Sequence, residues 1–277
     1  MKTQLFWLLL LIQLISFNNL CAQNEVYRPS IQDREVRKIQ TRLPFNSYKQ
    51  NASSTVNVEV VNEIAIMEGD IILGNINTIT AGMGVIATDG SRDRWPGGQM
   101  PFAIDNTFSA EKITEINDAV QELNSKTNLF LYPRTGEVDY IMFIPSTGCS
   151  SYVGRQGKGQ VIELAPGCGK ASIMHEILHS AGLYHEQSRG DRDDFVEILW
   201  ENIEENNKHN FEQHSSSASD IGNYDFGSVM HYGQYAFGKI DDGKTLQTIK
   251  CKSPCSNMGQ RTSLSIPDIN GINSIYP

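Results

Sequence analysis

The sequence predicts an α+β domain whose two halves face one another across a cleft. Three observations predict it. Short apolar runs with strand character lie between residues 56 and 164, two stretches (109–126 and 171–181) have helical spacing, and beyond Gly190 periodic elements give way to turns. The 277 residues, 39% hydrophobic and 20% charged, are enough to bury one sizeable core. Against 32 acidic side chains stand 23 basic ones, a net charge of −9. That balance argues against nucleic acid or an anionic membrane surface as partner, because either needs a basic face.

The N-terminus comes first. Lys2 precedes an apolar run from Leu5 to Phe17, broken only by Gln13 and Ser16, and Leu20-Cys21-Ala22 offers a small residue before Gln23. The run is too short for a membrane span and reads as an export signal, residues 1–22, so the chain is expected to be secreted and free of the membrane once the signal is removed. Residues 23–50 are polar and aperiodic and predict no regular element; Asn51-Ala52-Ser53 is a glycosylation sequon. Val56, Val58 and Val60 alternate with polar residues and predict a strand. The Gly-rich passage 69–90 and the polar residues after it read as an exposed linker open to proteolysis.

After Trp95-Pro96-Gly97-Gly98, residues 100–104 predict a strand. In 109–126 the apolar positions Ile113, Ile116, Val120 and Leu123 fall three and four apart, an amphipathic helix that Ser109 can cap. Residues 128–132, 140–144 and 159–164 predict strands, and 171–181 a second helix. Removal of the signal leaves Cys149, Cys168, Cys251 and Cys255, an even number with three possible pairings. A Cys149–Cys168 bridge would close a loop of about twenty residues and add about 3 kcal/mol by chain entropy. Cys251 and Cys255 are expected to bridge across Lys252-Ser253-Pro254; a zinc site there lacks neighbouring ligands to complete four.

Chemistry concentrates in His175-Glu176-Ile177-Leu178-His179-Ser180-Ala181-Gly182-Leu183-Tyr184-His185. His175 and His179, four apart on a helix, project from one face and can share one ion. Glu176 lies about 100° further round the axis, beside that ion. Gly182 can take a positive φ, ending the helix and returning the chain so that His185 becomes a third nitrogen ligand. Three neutral histidines leave one coordination position open, as in a catalytic zinc site. Ile173, Ile177, Leu178 and Ala181 would pack inward.

This extended motif resembles that of the metzincin zinc proteases. His185-Glu186-Gln187 with Arg189 and Asp191-Arg192-Asp193, together with Ser228-Val229-Met230-His231-Tyr232, resembles the astacin family in particular. The resemblance runs from about Arg94 to the C-terminus and takes in Ser151-Tyr152-Val153-Gly154 and the Cys149/Cys168 spacing. It implies an N-terminal twisted, mainly parallel sheet with two long helices, an irregular C-terminal half, and the active-site cleft between them. It further implies that Met230 forms an apolar base beneath the metal, that Tyr232 is a fifth ligand in the resting enzyme, and that Glu186 pairs with the ammonium of the processed N-terminus. Upstream, Met67-Glu68-Gly69-Asp70 resembles the family's propeptide segment, in which Asp70 would occupy the metal and keep the zymogen latent. Alone, Glu68-Gly69-Asp70 is a turn signal.

Two departures from the family stand out. Asn128 occupies a region where the family's second disulfide has a cysteine, and the C-terminal partner is missing as well; the Cys251/Cys255 pair is a candidate local substitute. Gln234 stands where some relatives carry a basic residue that selects acidic substrate side chains. The expected organisation is signal 1–22, propeptide 23–90 and peptidase domain 91–277, with activation cleavage between residues 82 and 94. The expected protein is a monomeric endopeptidase holding one catalytic Zn2+, with protein or peptide substrates and its own propeptide as inhibitor. Glu176 would act as general base on the zinc-activated water and Tyr232 would support the oxyanion, while residues 160–164 present backbone groups to the substrate. His209 and His214, in a polar stretch, are expected to be solvated. Two other classes are a zinc hydrolase of another amide, such as cell-wall peptide, and a binding protein that keeps the zinc scaffold without turnover; intact Glu176 and Tyr232 speak against the latter.

The charge divides unevenly. Residues 1–90 hold 7 basic and 8 acidic side chains and residues 91–277 hold 16 and 24. Eight of the latter acids fall between positions 186 and 205, and their field would favour basic substrates near the cleft.

Overall fold

Alternating or continuous apolar runs become strands where a partner lies alongside, and in this chain the partners form one large sheet. The computed structural model describes residues 36–43, 54–78, 94–214 and 218–277. Strands β1 (Val36–Leu43), β2 (Ser54–Val61), β3 (Ile64–Met67) and β4 (Ile71–Asn75) form an antiparallel meander. Strands β5 (Gln99–Ile104), β6 (Phe130–Pro133), β7 (Tyr140–Pro145), β8 (Ser150–Tyr152) and β9 (Gly159–Leu164) complete it. The order is β1-β2-β3-β4-β8-β9-β7-β5-β6. The portion from β9 to β6 is parallel and β8 runs antiparallel to β9, so the peptidase-domain strands are mainly parallel as expected. The upstream meander adds antiparallel strands that the expectation did not contain.

Two elements depart from the reading of the N-terminal region. Residues 36–43 lack period-two alternation, yet β1 pairs with β2 along its whole length, from Val36 opposite Val61 to Leu43 opposite Ser54. The partner, rather than local pattern, makes the strand. Part of the expected linker is β4, whose Ile71, Ile72 and Leu73 are buried because β3 lies on one side and β8 on the other. Glu68 and Gly69 take positive φ (52° and 78°) at the β3–β4 hairpin tip, and a Cβ on Gly69 would come 2.7 Å from the Phe237 ring. The signal segment, the Asn51 sequon and the activation region through Asp93 lie outside the described residues.

Helix α1 (Ala110–Lys126) starts at Ser109, whose side chain accepts from the Lys112 N–H, and carries Glu111 in its first turn and Lys126 in its last. It buries Ile116, Ala119, Val120 and Leu123. Helix α2 (Lys170–Ser180) is buried from Ile173 to Ser180, its polar His175, Glu176, His179 and Ser180 included. Both helices pack with the sheet in one core that includes Met100, Phe102, Ile141, Phe143 and Ile162. The meander has its own cluster around Val58, Val60, Met67 and Ile71.

Beyond α2 the chain is largely 3-10 turns, with a short antiparallel pair, β10 (Val196–Ile198) and β13 (Ile249–Cys251), and a hairpin, β11 (Ile240–Asp241) and β12 (Lys244–Thr245). A third cluster, including Phe211, Tyr224, Tyr232 and Ile249, holds this half together. The C-terminal helix α3 (Ile266–Ile275) was not anticipated. Ser265 and Asp268 form a reciprocal capping box at its start. Cys149–Cys168 and Cys251–Cys255 are bridged. At the site of the missing family disulfide, the Asn128 side chain donates to the Tyr276 carbonyl at 2.8 Å and its N–H donates to Asn273 Oδ1 at 2.7 Å. Hydrogen bonds tie α1's end to the C-terminus there, whereas the Cys251–Cys255 bridge lies elsewhere, at the end of β13.

Candidate metal centre

Helical geometry stacks His175 and His179 one turn apart, with their Nε2 atoms 3.0 Å from one another. The helix then stops. Gly182, at φ 103°, donates to the His179 carbonyl at 2.8 Å, and Leu183 donates to the Leu178 carbonyl at 3.0 Å. The reversal brings His185 back, its Nε2 at 3.3 Å from that of His175. All three rings are buried.

The outer edges of the rings settle which nitrogen carries hydrogen. His175 Nδ1 faces the Val229 carbonyl at 2.9 Å, His179 Nδ1 the Leu183 carbonyl at 2.8 Å, and His185 Nδ1 the Glu68 carboxylate at 2.6 Å. Carbonyls and carboxylates only accept, so each Nδ1 donates, and in the neutral ring that a metal ligand requires each Nε2 then keeps its lone pair. Three buried lone pairs converging on one point repel one another unless a cation lies between them. Such outward bonds also orient and strengthen imidazole ligands. Asp70 joins the group, Oδ2 lying 3.2 Å from His185 Nε2 and 3.3 Å from His175 Nε2, with Oδ1 3.8 Å from His179 Nε2. The four donor atoms lie within 4.8 Å of one another, and the buried Asp70 Oδ1 has no hydrogen-bond partner. A donor set of three imidazoles and a carboxylate fits zinc.

Glu176 lies on the same helix outside that group. It is buried, its Oε2 has no hydrogen-bond partner, and burial followed by the neighbouring Asp70 charge pushes its carboxyl well above the usual carboxylate range.

The segment 228–232 is fastened from three directions. Asp268 of α3 accepts from the Ser228 hydroxyl at 2.6 Å and the Val229 N–H at 3.0 Å, fixing the carbonyl that holds His175. The Met230 carbonyl accepts from the Glu186 N–H at 3.1 Å, and Gln187 Oε1 accepts from the Tyr232 N–H at 3.0 Å. Met230 is buried in the main core among α2 side chains. The Tyr232 ring lies 4.6 Å from that of His185, and its hydroxyl donates to the Glu68 carbonyl rather than joining the donor group. Glu186 accepts from the Asp225 N–H at 2.8 Å and lies 3.6 Å from Arg189; burial outweighs both and lifts its carboxyl to about 7.

Three side chains whose parts the sequence did not reveal complete the site. The Glu68 carboxylate receives His185 Nδ1, the Ser188 hydroxyl at 3.1 Å and His214 Nε2. Burial alone would raise this carboxyl, but the His214 charge and the hydrogen bonds from both histidines hold it at about 2. His214 was expected to be solvated; it is instead packed against Tyr184, ring centroids 4.6 Å apart, with its backbone N–H on the Ser188 carbonyl. Asp268, which forms the capping box with Ser265, was not singled out in the sequence. The expected substrate edge is also covered. Both sides of β9 are paired, with β7 and β8, whereas β8 has β4 on its outer side, Ile71 opposite Ser151 and Ile72 opposite Tyr152. With β4 in place, neither β9 nor β8 presents an unpaired edge along these residues.

The profile of the peptidase family described as Astacin matches residues 87–277. The zinc metalloproteinase nas-13 of Caenorhabditis elegans is 33% identical over 273 residues, covering 91% of this chain and 59% of that protein. The low choriolytic enzyme of Oryzias latipes is 36% identical over 219 residues, covering 76% of this chain and 78% of that protein. Among solved structures, the high choriolytic enzyme 1 of Oryzias latipes, a hatching-enzyme zinc-protease, superposes with a TM-score of 0.60 at 35% identity, over 66% of this chain and 92% of that one. The chain thus spans about three-fifths of nas-13 and most of the choriolytic enzymes.

Proposed function

Because the chain belongs to the astacin family of zinc metalloproteinases, we propose that it is a secreted endopeptidase made as a latent zymogen. Residues 1–22 are its export signal, 23–90 its propeptide and 91–277 its peptidase domain. It works as a monomer on proteins or peptides. The observation that carries the reading is the Asp70 carboxylate among three imidazole nitrogens: a segment upstream of the peptidase domain supplies the fourth donor of the zinc group.

His175, His179 and His185 would hold the zinc. Bound there, zinc supplies a Lewis acid that activates water and polarises the scissile carbonyl. The remaining work falls to the protein. Glu176 takes the proton from the attacking water and passes it to the leaving nitrogen; burial keeps its carboxyl poised to exchange protons nearer neutral pH than an exposed glutamate. Tyr232, freed from the Glu68 carbonyl, aims its hydroxyl at the oxygen that becomes negative, a contribution of about 3 kcal/mol in comparable sites. The backbone of β8 pairs with an extended substrate. Glu186 receives the ammonium of the new N-terminus.

Among the described residues no helix is long and apolar enough to cross a membrane. The test is N-terminal sequencing of the product in culture medium, joined to zymography on casein. The expected result is a processed chain that begins between residues 82 and 94 and clears casein only without chelator. A full-length medium form that is already active would refute the latent zymogen.

A further inference from the structure

Each imidazole of the metal group hands its Nδ1–H outward, and the three acceptors differ in kind. For His175 the acceptor is the Val229 carbonyl and for His179 the Leu183 carbonyl, both neutral backbone groups of the peptidase domain. For His185 it is the Glu68 carboxylate at 2.6 Å, a charged group carried by the segment upstream of that domain. Glu68 is buried, and its second oxygen accepts from the Ser188 hydroxyl and His214 Nε2. Its backbone is held as well, by the Tyr232 hydroxyl on the Glu68 carbonyl. The carboxylate is thus gripped on both oxygens and kept in line with the His185 ring.

A carboxylate behind a histidine ligand raises the basicity of the far ring nitrogen and fixes its direction, and losing such a partner costs about 10-fold to 100-fold in metal affinity. Charge adds to this. A divalent cation among three neutral imidazoles is a buried charge without compensation. In the uncleaved chain the β3–β4 hairpin tip brings two carboxylates toward that position, Asp70 among the Nε2 atoms and Glu68 behind one of them. Resting on the zinc and propeptide readings above, we propose that Glu68 is a zinc-retaining residue of the uncleaved chain. It acts through His185 without touching the ion, and its departure with the propeptide loosens the metal in the processed enzyme. The parts of Asp70 and Glu68 are separable. Asp70 supplies a donor atom and closes the coordination position; Glu68 supplies none and strengthens a donor already there. The uncleaved chain is therefore the form that takes up and keeps zinc. After processing, the carbonyls behind His175 and His179 remain, and His185 alone has lost its acceptor.

The test reads zinc affinity by competition with a chromophoric chelator, so it needs no turnover. Asp70→Ala is the reference. Among the described residues no other side chain upstream of the peptidase domain belongs to the donor group, so in this variant any remaining effect of Glu68 passes through His185. Adding Glu68→Gln to Asp70→Ala is expected to weaken zinc binding by about tenfold or more. A glutamate that merely docked the hairpin would leave the affinity unchanged in that background. A second comparison requires no Glu68 variant to fold: the uncleaved Asp70→Ala chain is expected to hold zinc about tenfold more tightly than the processed chain. Equal affinities in either comparison overturn the proposal and leave the part of Asp70 untouched. A parent chain that binds no zinc would instead overturn the metal reading, and this proposal with it.

Discussion

The backbone N–H of Ser151 donates to the Asp70 carbonyl at 2.9 Å. The residue whose carboxylate enters the histidine group is thereby tied by its main chain to β8, and the two residues after it continue the pairing. One short hairpin covers the donor group, the strand edge and, through the Glu68 carbonyl, the Tyr232 hydroxyl.

Asp70→Ala should give an uncleaved chain that hydrolyses a quenched peptide, because the metal position is opened while β4 loses only a side chain. Activity is expected at a measurable fraction of that of the processed form. A variant as silent as the parent, assayed before any cleavage, would show that Asp70 is not the brake.

Glu176→Ala should keep its zinc and lose proteolysis. Its side chain stands outside the donor group, and general acid–base work contributes about 100-fold to 10,000-fold in rate. Zinc content and kcat measured on the same processed sample check both halves; full activity would remove Glu176 from the mechanism.

His185→Ala should lose the metal. Two nitrogens and one carboxylate remain in the proform, and only the two nitrogens after processing. Atomic absorption after dialysis is expected to read well under one zinc per chain. Stoichiometric zinc in the processed variant would exclude His185 as a ligand.

His231 should make stability fall with acid. Its ring is buried, Nδ1 facing the Tyr232 carbonyl at 2.8 Å and Nε2 the Tyr224 hydroxyl at 2.7 Å, and burial pushes its pKa down to about 4. The unfolded chain, with the ordinary pKa of about 6.5, takes up the proton first as pH falls. The stability contributed is therefore whole above about pH 6.5 and is lost toward pH 4, about 2 kcal/mol of it between pH 7 and pH 5. Urea unfolding at those two pH values should show a smaller drop for His231→Gln than for the parent.

Asn128→Ala removes the 2.8 Å bond to the Tyr276 carbonyl. A loss of about 1 kcal/mol is expected, a fall in Tm of about 3 °C for a domain of this size, with peptide cleavage at 25 °C retained. An unchanged Tm would mean that this junction does not replace the family's disulfide.

Much of the centre was legible before the fold. His175, His179 and Gly182 obey rules that span a single turn of helix, and Ser109 begins α1 where its side chain can cap it. The parts that escaped share a physical cause. The 36–43 segment has no internal period and becomes a strand only through β2. His214 lies in polar sequence and gains its role from a glutamate 146 positions away. The β9 strand has the clearer pattern, yet that pattern comes from burial between two neighbours, β7 and the three-residue β8.

The sequence by itself determined the metal chemistry: three imidazoles at offsets of four and six, with a glycine to turn the chain between the second and third. These spacings act within a dozen residues, where backbone geometry alone sets direction. Only the tertiary structure decided what meets that group. Asp70 reaches His175 across 105 positions and Glu68 reaches His185 across 117, and Asn128 meets Tyr276 across 148. Such contacts depend on which strands pair and which faces are buried together. That outcome follows from the summed burial of the whole sheet, and no local pattern encodes it.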